Sequence, residues 1–130
     1  MVKAIDFAVR SSTGGLVRGS IAGDGGNGFL QVGSGEEVSL HLSARSVQGY
    51  VRQGNDLVLT LVDGRQIVLS DYFETLSGVE NRLYLSSNSE VTEVFLSDGQ
   101  NGTLYANYGA VDTWSKYSTV DDLRFLDDDI

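Results

Sequence analysis

The chain has 130 residues, with 18 acidic against nine Lys and Arg side chains, a net charge of −9, and neither cysteine nor proline. Disulfides and thiolate metal sites are therefore excluded; scattered cations (Arg10, Arg18, Arg45, Arg52, Arg65, Arg82, Arg124) form no basic stripe for nucleic acid, and an acidic surface repels anionic membranes. Hydrophobic residues make up 41% of the chain, enough for one folded core, while no apolar run is long enough for a membrane span.

In chain order, residues 2–9 alternate, with Ile5, Phe7 and Val9 on one side, so a strand is expected. This N-terminus has no extended apolar run and is not an ordinary cleaved signal peptide. Ser11 to Gly15 breaks the pattern, and 16–21 reads as a short strand. The glycine-rich stretch 23–28 is a loop, and two strands are expected at 29–32 and 37–42, joined through Gly33, Ser34 and Gly35. In the second, Val38, Leu40 and Leu42 alternate with Ser39 and His41. Residues 46–52 lead into the densest signal of the chain.

That signal is 53–73, QGNDLVLTLVDGRQIVLSDYF, a β-hairpin turned at Asp63-Gly64. A two-residue loop pairs Val62 with Arg65 and mixes polar and apolar side chains on each face. A three-residue loop pairs Leu61 with Arg65 and gathers Leu57, Leu59, Leu61, Ile67 and Leu69 on one face, leaving Val58, Thr60, Gln66 and Val68 on the other. A one-residue slip moves a whole side-chain set across a sheet, so polarity favours the second register, a type I turn with Gly64 in the bulge position. Burying each Leu or Ile stabilises by roughly 1.5–3 kcal/mol, which makes this hairpin the main contributor to the core.

Residues 74–80 read as an irregular connection, and 82–85 with 91–96 as a second hairpin. A turn-rich loop at 97–102 precedes a strand at 103–108. The segment 118–126 fits either a short capped helical turn or a final strand. Many short strands with turn signals between them predict an all-β fold, a sandwich or barrel-like sheet of short antiparallel strands joined by hairpins. A solenoid is the minor alternative, since no fixed period is visible. One domain is expected over 1–126, with Asp127, Asp128 and Asp129 opening an acidic linker at 127–130.

No catalytic, cofactor-binding or metal-ligating residue is assigned. His41 is the only histidine, and one imidazole makes neither a zinc site nor a triad by itself. No serine lies in G-x-S-x-G, and the glycines at 23–28 lack the Lys and Ser/Thr of a phosphate loop. Calcium is a weak signal at 24–28, 98–102 and 127–129, because one loop supplies too few of the roughly six to eight oxygens required. Neighbouring carboxylates such as Glu36/Glu37 and Asp121/Asp122 point to opposite faces of a strand and carry no glycosidase signal. Tyr72, Phe73, Tyr105, Tyr108, Trp114 and Tyr117 are candidates for a sugar-stacking platform, with core or edge packing as the commoner fate.

The run Gly54–Val58, GNDLV, followed by Thr60-Leu61, Asp63-Gly64 and Asp71-Tyr72-Phe73, resembles the N-terminal prefix domain of BapA-type biofilm-associated proteins, the large type I secreted adhesins of Gram-negative bacteria. Residues 37–42 and 47–52 fit its lead-in strands, and 82–94 its next strand pair, so the resemblance covers 36–94. The same hairpin pattern also occurs beside calcium β-rolls of type I secreted proteins. The resemblance implies a non-enzymatic N-terminal module on the extracellular cell surface, exported without a cleaved signal and supporting retention and biofilm formation. Its implied partners are an outer-membrane export channel or further copies of itself, without membrane insertion. Related adhesins are released by proteolysis after an Ala-Ala pair; this chain has no Ala-Ala, which favours permanent anchoring. An extracellular carbohydrate-binding β-module is the alternative, drawn from the aromatic residues.

Overall fold

The computed structural model of the chain describes residues 4–11, 15–22, 27–33, 35–73, 81–87, 90–99 and 102–110. Ten strands run through them: β1 (Ile5–Arg10), β2 (Leu16–Ile21), β3 (Gly28–Gln31), β4 (Glu37–Leu40), β5 (Val47–Gln53), β6 (Asp56–Leu61), β7 (Gln66–Ser70), β8 (Arg82–Ser87), β9 (Glu90–Asp98) and β10 (Thr103–Ala110). A 3-10 turn at Ala44–Ser46 precedes β5. The fold is all-β, as the strand pattern requires.

The β6–β7 hairpin adopts the three-residue loop. Leu57 faces Leu69 and Leu59 faces Ile67. The Leu61 N–H donates to the Arg65 carbonyl at 2.8 Å, and the Gly64 N–H to the Leu61 carbonyl at 3.0 Å. Gly64 has φ +96, the left-handed conformation that the bulge position needs and that only glycine enters at little cost. Leu57, Leu59, Leu61, Ile67 and Leu69 are all buried on one face, while Gln66 on the other is exposed. Hydrophobic alternation therefore set the register, and the turn glycine made it possible.

All ten strands form one sheet in the order β2-β1-β4-β8-β9-β10-β5-β6-β7-β3. β3 runs parallel to β7 and β4 parallel to β8; the other seven neighbouring pairs are antiparallel. The two parallel pairs join strands distant in sequence, so no turn signal announces them. The strands at 29–32 and 37–42 are not partners of each other: β3 docks on β7 and β4 lies between β1 and β8. β4 also stops at Leu40, where the His41 N–H turns to the Asp6 carbonyl at 2.9 Å.

The ends of the sheet come round to meet. A Cβ placed on Gly28 of β3 would lie 3.1 Å from the Ile21 side chain of β2. Beside this seam Arg65 donates through Nη1 to the Ala22 carbonyl at 2.9 Å, and the Gln66 N–H donates to Asn27 Oδ1 at 3.0 Å. The result is a nearly closed barrel, which leaves little exposed strand edge. Its interior is filled by the inward set of each strand, including Ile5 and Val9, Val38 and Leu40, Leu83 and Leu85, and Leu104. Phe7 lies over Gly19 and Phe95 over Gly109, so aromatic rings cover two of the four strand glycines. The connection at 74–80, the segment 118–126 and the acidic run 127–129 lie outside the described residues.

Candidate functional site

The long hairpin that supplies the core also builds one mouth of the barrel. After β7, Asp71 takes a left-handed conformation, φ +63, and its N–H is held by Asp56 Oδ1 at 2.9 Å. Gln31 Nε2 donates to Asp71 Oδ2 at 2.7 Å and fixes the same turn from β3. The turn sends Tyr72 into the core and leaves Phe73 half-buried at the mouth, the rings edge-to-face with centroids 5.1 Å apart. The Phe73 N–H donates to the Asn55 carbonyl at 2.9 Å, which ties the turn back to the start of β6.

Asn81 braces this turn against β8. It is buried, with Oδ1 accepting the Glu36 N–H at 2.8 Å and Nδ2 donating to the Tyr72 carbonyl at 2.8 Å. The Asn81 carbonyl accepts the Tyr72 hydroxyl at 3.3 Å. An amide has one acceptor and one donor end, and here both are used by main-chain groups that would otherwise be buried without partners.

Between these elements lies a cleft of about 550 Å³, lined by Arg52, Tyr72, Phe73, Asn81, Arg82 and the Glu93 to Leu96 stretch of β9. The Arg52 guanidinium sits 4.6 Å from the Phe73 ring centroid, and its Nε donates to the Gly54 carbonyl at 2.9 Å. This stacking holds a planar cation at the rim. Arg82 grips Glu93 with two hydrogen bonds, Nε to Oε2 at 2.9 Å and Nη2 to Oε1 at 2.8 Å. That bidentate bond to Glu93 raises the Arg82 pKa above its ordinary value. Phe95 is 51% exposed beside the cleft. Among the described residues that line the cleft, two guanidiniums stand against one chelated carboxylate. The arrangement suits holding a ligand by stacking and charge; its carboxylate is tied to a guanidinium, which is a poor setting for proton transfer.

A second polar group lies on the outer face. Register places Arg10 of β1 opposite Glu37 of β4, and Glu37 opposite Arg82 of β8. Arg10 donates to Glu37 Oε1 from Nε at 3.0 Å and Nη2 at 2.6 Å, and the Tyr84 hydroxyl donates to Glu37 Oε2 at 2.9 Å. Burial, reinforced by the bond to Glu37 and the negative charges of Glu37 and Glu93, pushes the Tyr84 phenol up. With the Arg82–Glu93 pair, these alternating charges tie four strands together across the sheet; Arg10, Glu37 and Tyr84 are not among the residues that line the cleft.

The residues singled out by sequence are dispersed. His41 is buried on the outer side of the sheet, its Nδ1 4.0 Å from Asp6 Oδ2. Tyr105 and Tyr108 lie on opposite faces of β10, and the Tyr108 hydroxyl pairs with that of Tyr50 at 3.1 Å. Tyr72 is a core residue, and Trp114 and Tyr117 lie outside the described residues, so the described aromatics make no single platform. Among the described residues no group of three or more His, Asp or Glu side chains could hold a metal ion. The calcium-loop positions 24–28, 98–102 and 127–129 fall partly or wholly outside those residues. Arg52, Asn81 and Phe95 were not picked out by sequence; the cation-aromatic contact of Arg52 and Phe73 spans 21 positions, beyond the reach of any local pattern.

A family model described as "BapA, prefix-like domain" matches residues 27–124. The chain belongs to this family. The match spans three quarters of the chain, wider than the 36–94 stretch in which the resemblance is visible by eye. Every residue lining the cleft falls inside the BapA prefix-like region, whereas β1 and β2 precede it. No curated protein and no solved structure matches the chain.

Proposed function

We propose that this BapA prefix-like domain is a non-enzymatic module of a large secreted biofilm adhesin, and that it supports retention of that adhesin on the outside of a Gram-negative cell. Membership of the family across 27–124 is the observation that carries the reading. The physical character of the domain supports it: a nearly closed barrel with a leucine-lined interior resists unfolding and offers little free edge, as a part that holds position needs. Export by a type I machine belongs to the same proposal. So does the partner: a folded barrel lodged at an outer-membrane export channel would act as a stopper.

Cells expressing the adhesin with and without this domain provide the test. Loss of the domain is expected to move adhesin from the cell surface to the medium and to reduce biofilm mass. Equal surface retention in both strains would remove the proposal.

A further inference from the structure

The β1–β2 hairpin is tied within itself more fully than it is tied to β4. Six residue pairs join its two strands, from Ile5↔Ile21 to Arg10↔Leu16, against four that join β1 to β4. Its own groups finish it: Ser20 Oγ donates to Asp6 Oδ1 at 2.6 Å, the Ser11 N–H donates to the Gly15 carbonyl at 2.8 Å, and the Phe7 ring covers Gly19. β2 is exposed from Leu16 to Ser20. A supersecondary unit of this kind opens and closes as one piece. The barrel offers it a specific seat. β4 takes β1 from Phe7↔Leu40 to Arg10↔Glu37, Ile5 and Val9 enter the buried cluster, and Arg10 grips Glu37 Oε1 from Nε at 3.0 Å and Nη2 at 2.6 Å. The family match starts at residue 27, so hairpin and seat lie on opposite sides of its boundary.

Where the hairpin meets the barrel, the backbone is strained. Ala22 has φ +61, a left-handed conformation that costs any residue but glycine, and Arg65 Nη1 holds its carbonyl at 2.9 Å. This turn brings the chain from the end of β2 back toward β3, whose Gly28 lies against Ile21. Gly23, Asp24, Gly25 and Gly26 follow in the sequence, and glycine admits both backbone hands. A link that crosses to a neighbouring molecule does not need the reversal at Ala22.

We propose that two copies of this chain exchange their β1–β2 hairpins, each hairpin taking the β4 seat of the other, and that the left-handed Ala22 favours the exchange. The partner is a second copy because the seat matches β1 in three ways: in register, in the two apolar side chains it buries, and in the Glu37 carboxylate it offers to Arg10. Exchange remakes the contacts of the closed molecule, so its balance is set by chain concentration and by the link between hairpin and barrel. The inference concerns this chain alone and stands apart from the adhesin reading.

The test uses the full chain with reciprocal charge reversals. Arg10→Glu alone sets two carboxylates against each other across β1 and β4, and Glu37→Arg alone sets two guanidiniums there. When the two variants are mixed, partly unfolded in urea and returned to buffer, each hairpin finds the opposite charge on the other chain's seat. Sedimentation is expected to show a dimer at least about tenfold more abundant in the mixture than in either variant alone, the scale of a charge-assisted hydrogen bond. Equal dimer fractions in mixed and separate solutions would overturn the proposal. Where a reversal impairs folding, single cysteines serve in a chain that has none: Ala8→Cys mixed with Ser39→Cys. These positions are opposed in the β1–β4 register and are 1% and 0% exposed, so a bond between chains requires exchange. Oxidised after refolding, the mixture is expected to yield a cross-linked heterodimer, and neither variant alone a cross-link. No heterodimer at millimolar chain would overturn exchange. Ala22→Gly in the otherwise unaltered chain should lower the dimer fraction by about fivefold, the effect of relieving one strained residue. An unchanged fraction would overturn the role given to Ala22.

Discussion

At Gly64 and at two buried tyrosines, single side chains decide measurable behaviour. Gly64 holds the β6–β7 turn at φ +96 with nothing within 4 Å of where a Cβ would sit, so a substitution there meets backbone strain and no clash. Gly64→Ala is expected to cost about 1–2 kcal/mol in urea unfolding, the penalty of an L-residue in that region. Gly49→Ala, also in open space but without a positive φ, should change stability by less than about 0.5 kcal/mol. Equal effects would show that the turn carries no such strain. Tyr50 and Tyr84 govern the alkaline side. Burial, then the Tyr108 hydroxyl, raises the Tyr50 phenol; burial, then Glu37, raises that of Tyr84. The folded state keeps both protonated after an unfolded chain's tyrosines begin to ionise, so their stabilisation is complete below about pH 10 and is lost as pH rises beyond it. Denaturation monitored from pH 8 to 12 (roughly, around that ordinary tyrosine value) should show stability falling, and Tyr50→Phe with Tyr84→Phe should flatten the fall. An unchanged slope in the double variant would assign alkaline unfolding to other groups.

Elements differ in how much of them a sequence can announce. In the β6–β7 hairpin, Leu59 is fully buried whereas Val62 at the turn is 66% exposed. Leu59→Ala should cost about 2–5 kcal/mol, from lost transfer free energy plus the cavity left behind. Val62→Ala should stay within about 0.5 kcal/mol. Comparable midpoints for the two variants in denaturant unfolding would contradict the one-sided core. Period-two alternation and a turn glycine encode this hairpin locally, which is why its register could be derived before any coordinates. The β8–β9 hairpin was readable on the same grounds. The parallel pairs β3–β7 and β4–β8 were not, because their partners sit about 40 positions apart and parallel pairing leaves no turn chemistry between them. The candidate site suffers likewise: Asn81 bridges Glu36 and Tyr72, and Arg52 meets Phe73, only after the sheet has curled. What the sequence did carry for the site was the Asp71-Tyr72-Phe73 turn, whose left-handed Asp71 aims the two aromatic rings.

On the scale of the whole molecule, the family match begins at residue 27, one position before β3, and so leaves the β1–β2 hairpin aside. That hairpin is nevertheless built into the barrel. β1 pairs along β4 from Phe7↔Leu40 to Arg10↔Glu37, and contributes Ile5 and Val9 to the buried cluster. β2 brings Ile21 against Gly28, and the Ala22 carbonyl accepts from Arg65, which together draw the two ends of the sheet to one another. A chain starting at residue 27 would lose the buried Ile5 and Val9 side chains, each worth roughly 1.5–3 kcal/mol, along with the smaller buried Ala8 and Ala22. It would also open the edge of β4, whose released main-chain groups invite pairing with another copy. The truncated chain is therefore expected to melt at least about 10 °C below the full chain, since each kcal/mol lost shifts the midpoint of a domain this size by several degrees. Sedimentation should show it associating more strongly than the full chain. A truncated chain that remained monomeric with an unchanged melting temperature would mean that the region matched by the family closes its barrel without β1 and β2, and that the seam at Ile21 and Gly28 contributes nothing to stability.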